Sequence, residues 1–219
     1  MSDAEIERVI ADFAAAARRA VAAGFDGVEL HAGHGYLLHE LLSPLTNTRG
    51  GPWGGRAGGE RALLAIVAEV RAELGEDRPL LVRLSTSDVA PGGTTVEQTA
   101  AFAVRLRSAG VDLVDCSAGG LEPGVEYAPA RGYQVPGAAA VRAAGVPSGA
   151  VGLITDPAHA AALVADGSAD VVLLGRAMLR NPHWARHAAH ALGRTDALDV
   201  PIPYLRAWHP GALEPLELM

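Results

Sequence analysis

The chain has 219 residues, a formal net charge of −7, 49% hydrophobic but only 5% aromatic residues, and one cysteine, Cys116. That length suits one sizeable domain with a small-aliphatic core. The acidic balance lacks the basic stripe of a nucleic-acid binder, and a lone cysteine excludes an internal disulfide or a cluster held by several of the chain's own thiolates.

The N-terminus is acidic and helical, unlike a signal peptide. No apolar run reaches the roughly 18 residues that a spanning helix needs. The expectation is a cytoplasmic protein with neither nucleic acid nor membrane as partner. Ser2 with Glu5 has the form of a capping box. Ile6, Val9, Ile10, Phe13, Ala17, Ala20 and Val21 then follow helical spacing until Gly24 stops the helix. Phe25 to Leu30 reads as a short apolar strand that ends in a polar cluster. His31, His34 and Tyr36 lie there, separated by Gly33 and Gly35. Two imidazoles and a phenol can donate hydrogen bonds to one oxygen and a proton to a neighbouring carbon. The glycines allow a tight turn and a close ligand.

A unit then recurs: a helix closes, an Asp sits in the turn, and a β-branched strand begins, at 23–28, 109–114 and 167–172. The predicted strands are 27–31, 79–84, 112–117, 149–153 and 171–175. The helices between and after them are near 60–74, 95–109, 134–144, 157–166 and 182–192. Thr94 with Glu97 offers a second capping box. Asp156-Pro157 and Asn181-Pro182 place caps before first-turn prolines. Alternating strands and helices predict a parallel sheet with right-handed crossovers, and the unbroken apolar strands predict that both faces are covered. H-A-G-H-G is not the glycine fingerprint of an open dinucleotide-binding sheet. All five strands end in polar or glycine residues, which a (β/α) barrel would gather on one catalytic rim. A closed barrel needs eight strands, so five predict an incomplete one.

The run H-A-G-H-G-Y-L-L-H-E-L-L-S-P-L-T-N-T-R (31–49), followed by Gly50-Gly51, resembles the signature of the Old Yellow Enzyme family, in its bacterial ene-reductase branch. The resemblance continues through L-V-R-L-S (81–85), D-L-V-D-C-S-A-G-G (112–120), G-Y-Q-V-P (132–136), A-V-G-L-I-T (150–155) and L-L-G-R-A-M-L-R-N-P (173–182). It implies an FMN-dependent oxidoreductase that takes hydride from NADPH or NADH and reduces an activated alkene. His31 and His34 resemble the pair that hydrogen-bonds the substrate carbonyl oxygen, and Tyr36 the proton donor. Arg83 resembles the arginine at the flavin N1/O2 edge, although pairing with a core carboxylate is its other reading. Gly152, Gly175 and Arg176 resemble the phosphate cradle. Y-L-R-A-W makes Arg206 a candidate for a substrate or inter-subunit contact.

The resemblance also implies an incomplete TIM (β/α)8 barrel over residues 1–195. Its βα units would correspond to strands four to eight, with the first three strands absent. Residues 196–219 would form a C-terminal tail at a subunit interface. Here the loop 50–55 departs from the family pattern, which has an acidic residue and a tyrosine before its Gly-Gly. The alternative is a catalytically inactive truncated barrel. Open sheet edges predict a partner, either a second copy or a complementing N-terminal half. His39, His159, His183, His187 and His190 read as core or surface groups, and Cys116 as an inert core thiol. Asp26, Asp112 and Asp170 read as turn residues on the opposite rim. No metal site is expected.

Overall fold

Ser2 opens α1 (Asp3–Ala22) as the sequence predicts: its hydroxyl accepts from the Glu5 amide and the Glu5 carboxylate accepts from the Ser2 amide. This capping box satisfies two otherwise orphaned helix-end donors. The computed structural model describes residues 1–121 and 130–208. The final part of the predicted tail, 209–219, lies outside the described residues.

Five parallel strands follow in the order β1 (Val28–Ala32), β2 (Leu80–Ser85), β3 (Leu113–Ser117), β4 (Ser148–Ala150) and β5 (Val171–Val172). Spatial order equals chain order throughout. A doubly wound sheet would reverse direction at a switch point. Right-handed crossovers that always advance the same way put every connecting helix on one face, which is an arc of a barrel. The connections are α2 (Leu37–Leu42) with α3 (Gly55–Leu74), then α4 (Val96–Ser108), α5 (Val135–Ala143) and α6 (Pro157–Ala165); α7 (Arg176–Arg180) and α8 (Trp184–Ala191) come after β5.

Strand alternation divides the sheet. One face carries Leu30, Val82, Val114, Ala32, Leu84, Cys116 and Ala150, all buried. They form one apolar cluster with Ile66 and Val70 of α3, Phe102 and Leu106 of α4, and Val141 of α5. Each fully buried Leu, Ile or Phe there contributes about 1.5–3 kcal/mol. The other face aligns His31, Arg83, Asp115, Gly149 and Val171 as one row across all five strands. This inner face is only partly covered: Glu29 is exposed and Val171 is 39% exposed. The expectation of two covered faces is therefore corrected. An open five-stranded arc cannot enclose its own inner face.

Several boundaries differ from the expectation. The first strand begins at Val28, and Phe25 is exposed. Residues after Tyr36 form a six-residue helix that the sequence shows only as a short apolar segment. Strand β4 stops at Ala150 because Gly152 and Leu153 take positive φ of 118° and 52°. The second capping box uses Thr95 and Gln98, not Thr94 and Glu97. Thr94 is already committed, its amide to Asp88 and its hydroxyl to Arg56. The predicted helix at 182–192 starts at Trp184, with a separate short helix, α7, before it. In the loop at 50–55, the Asn47 side-chain amide donates to the carbonyls of Leu41, Trp53 and Gly55 and so supplies the packing. Among the described residues, no helix is long and apolar enough to cross a membrane.

Candidate active site

Beyond β1 the chain turns sharply through residues that alternation alone cannot place. His34 has φ 58° and Gly35 has φ 75°. A left-handed non-glycine residue costs about 1–2 kcal/mol, so the turn must be held from outside. The His34 amide donates to Ser85 Oγ at 3.0 Å, and the Gly35 amide donates to His39 Nδ1 at 2.9 Å. Glycine is required at 35 for a second reason: a Cβ there would lie 2.5 Å from the Gly120 carbonyl oxygen.

The turn brings the three predicted groups together. The His31 ring centroid lies 5.2 Å from that of His34 and 5.4 Å from that of Tyr36. Tyr36 is 64% exposed and projects from the rim. Burial, then the nearby Arg83 charge, then the neighbouring histidines hold His34 down to about 4. Burial and Arg83 also lower His31. Both rings are therefore neutral near pH 7, and a neutral imidazole carries one N–H donor and one acceptor rather than a charge. His34 Nε2 sits 2.5 Å from Ser117 Oγ.

A hollow of about 510 Å³ opens beside His34. Arg83, Gly152, Gly175 and Arg176 line it, so four of the five predicted cofactor and C-terminal positions share one space with His34. The fifth, Arg206, does not line the hollow; it is exposed on the 3-10 segment Ile202–Trp208. His31 and Tyr36 do not line the hollow; the His31 ring packs against His34, and the Tyr36 ring against His31. Among the described residues, none beyond its chain neighbours has an atom within 4 Å of a would-be Cβ at Gly175, which leaves its backbone open.

Arg83 stands between the hollow and a core carboxylate. It lines the hollow, and its Nε lies 3.2 Å from Asp115 Oδ2 without hydrogen-bond geometry. Burial raises Asp115 to about 7 against the pull of Arg83, with Glu29 adding to the rise. Arg83 Nε and Asp115 Oδ1 are both buried without a hydrogen-bond partner among the described residues. Ser117, a polar strand end expected on the rim, lines the hollow too, and Asp115, Glu29 and Gln134 are lining residues to which the sequence assigned no role. Asp115 was discoverable, because the alternation D-C-S in β3 puts it on the same face as Arg83 in β2. Cys116 points into the core, where burial pushes its thiol well above the usual range. Asp112 and Asp170 accept from the Leu80 and Ser148 amides at the opposite strand ends.

The model of the NADH:flavin oxidoreductase / NADH oxidase family matches residues 1–195. The chain belongs to that family. It is 44% identical over 206 residues to an NADPH dehydrogenase of Listeria monocytogenes, an alignment that covers 93% of this chain and 59% of the relative. The chain thus spans about three-fifths of that family member's length. A 2-naphthoyl-CoA reductase in complex with 2-naphthoyl-CoA superposes with a TM-score of 0.80 at 31% identity, over 90% of this chain and 30% of the other. The old yellow enzyme homologue from Zymomonas mobilis gives a TM-score of 0.71 at 27% identity, over 87% and 54%. The family resemblance carried by the motifs and the parallel barrel-like arrangement therefore agree with these relatives.

Proposed function

We propose that this chain carries the catalytic rim of an FMN-dependent NAD(P)H oxidoreductase that reduces activated C=C bonds. The observation that supports it most is the sharing of one hollow by His34, Arg83, Gly152, Gly175 and Arg176, with the His31 ring against His34 and the Tyr36 ring against His31. The residues fit the cofactor. The Arg83 guanidinium, which lines the hollow and whose Nε makes no hydrogen bond among the described residues, suits the electron-rich edge of a flavin, and the open backbone at Gly175 beside Arg176 suits a phosphate. Bound FMN would supply hydride transfer between the nicotinamide and the alkene.

The chain's own residues then do three things. His31 and His34, held neutral by burial and Arg83, donate hydrogen bonds to the substrate carbonyl oxygen and favour the charge that develops there. Tyr36, exposed at the rim, delivers a proton to the carbon next to that carbonyl. Arg83 neutralises negative charge in the hollow, and Asp115 tempers that cation. In this reading the five strands correspond to strands four to eight of the complete barrel. Arg206 and the segment from residue 196 belong to an inter-subunit contact.

A second reading is a scaffold that needs a complementing chain, either a second copy or the βα units of an N-terminal half. Its support is the partly open inner face and the edge strands β1 and β5, each paired on one side only among the described residues. One experiment separates the two. The purified chain is titrated with FMN and its visible spectrum recorded before and after NADPH. Uptake and bleaching support the enzyme. No uptake alone, but uptake after a complementing half is added, supports the scaffold. His31→Ala with His34→Ala should then leave FMN uptake intact and abolish alkene reduction.

A further inference from the structure

The turn that presents His34, Gly35 and Tyr36 is tied to a second loop through a buried pair that this function does not use. His39, on α2, is 2% exposed and Asp88, after β2, is 1% exposed. His39 Nε2 lies 2.9 Å from Asp88 Oδ1, and its Nδ1 lies 2.9 Å from the Gly35 nitrogen. A backbone amide can only donate, so Nδ1 must accept. Nε2 faces a carboxylate, so it must carry the proton. His39 is therefore the neutral Nε2–H tautomer, fixed by its two partners.

Asp88 is itself immobilised. Its Oδ2 accepts from Ser43 Oγ at 2.7 Å and from the Thr94 amide at 2.7 Å, while its own amide donates to the Thr94 carbonyl. Burial works against the Asp88 charge, but the bonds from His39, Ser43 and Thr94 outweigh it and hold the carboxyl below its ordinary value. The next residue, Val89, has φ 57°, so this loop, like the His34 turn, holds a left-handed non-glycine residue. The imidazole spans the two. A group whose only task was to fill the core would not need an acceptor aimed at Gly35; an apolar side chain would serve there.

We infer that His39, backed by Asp88, is a positioning residue for the His34–Tyr36 turn, acting through the Gly35 amide. The inference rests on reading that turn as the site's working part. Its test does not, because it follows one amide and needs neither flavin nor substrate. Native-state hydrogen exchange is measured by NMR on the full chain. The Gly35 amide is compared with that of Val114, which donates to Pro147 in the core. In His39→Leu, Gly35 exchange relative to Val114 should rise about tenfold or more, the scale of one lost hydrogen bond. An unchanged ratio overturns the inference. His39→Asn offers an oxygen near the Nδ1 position and should restore protection, whereas His39→Gln keeps a donor for Asp88 but no acceptor at Gly35. If the Leu variant does not fold, the Asn and Gln pair decides: a lower ratio in Asn supports the tie, and equal ratios refute it.

Discussion

Asp115→Asn isolates one proton. The Asp115 side chain is 3% exposed, beside Arg83, and burial raises its pKa from an ordinary 3.8 to about 7. Between those values the native chain keeps a proton that the unfolded chain has released. Stability therefore falls as pH rises through this window and levels off above pH 7. At roughly 1.4 kcal/mol per pH unit, the fall from about pH 4.5 to about pH 7 is on the order of 3 kcal/mol. The asparagine variant cannot ionise and loses this slope. Other carboxyls, such as Asp88 and Asp170, are shifted downward and slope the opposite way, so the quantity to follow is the difference between variant and wild type. Urea unfolding at about pH 4.5, 6 and 8 gives that difference. The variant should gain about 3 kcal/mol on the wild type across the range. A difference that does not change with pH would refute a protonated Asp115 and, with it, the account of Arg83 as a cation only partly neutralised.

The same packing and burial set three further outcomes. His34, held down to about 4 by burial and Arg83, should show no imidazole titration by NMR until the pH falls below about 5; the neutral form stabilises the fold at neutral pH, and that contribution is lost as pH drops from the ordinary 6.5 toward 4. A midpoint above 6 would contradict it. Gly59→Ala should cost more than about 3 kcal/mol in urea unfolding, because its Cβ would lie 1.9 Å from the Leu41 carbonyl oxygen and α2 would have to move. A loss under about 1 kcal/mol would show that the helices can part freely. Gly35→Ala and Gly24→Ala share a positive φ, but only position 35 has backbone within 2.5 Å. The position 35 variant should therefore lose at least about 1 kcal/mol more in the same assay, and equal losses would remove the Gly120 contact from the explanation.

Much of this was legible in residues. The Asp-then-β-branched repeat marks the starts of β1, β3 and β5, and the polar strand ends mark the rim, because both follow from local rules of turn and alternation. The unread parts depend on partners distant in sequence. Thr95 replaces Thr94 as a cap only because Asp88 and Arg56 occupy Thr94. The α2 helix is too short to show a period, and it is held by packing on α3, where Gly59 lets that helix touch the backbone of Leu41 and Leu42. His39 looked like an ordinary core histidine, since nothing in H-E-L-L-S-P reveals that residue 88 will meet it. Asp115 carried its signal in the strand alternation, but its consequence required knowing that residue 83 stands next to it.

The row of His31, Arg83, Asp115, Gly149 and Val171 has a meaning for sequence change. Successive strand residues face opposite ways, so removing one residue inside β2 would swing the guanidinium of Arg83 into the hydrocarbon layer and bring Val82 or Leu84 out toward the hollow. Within each strand the spacing thus behaves like a reading frame. Insertions and deletions should survive in the connecting loops and be fatal to the site within the short strand segments, where the count itself is the information.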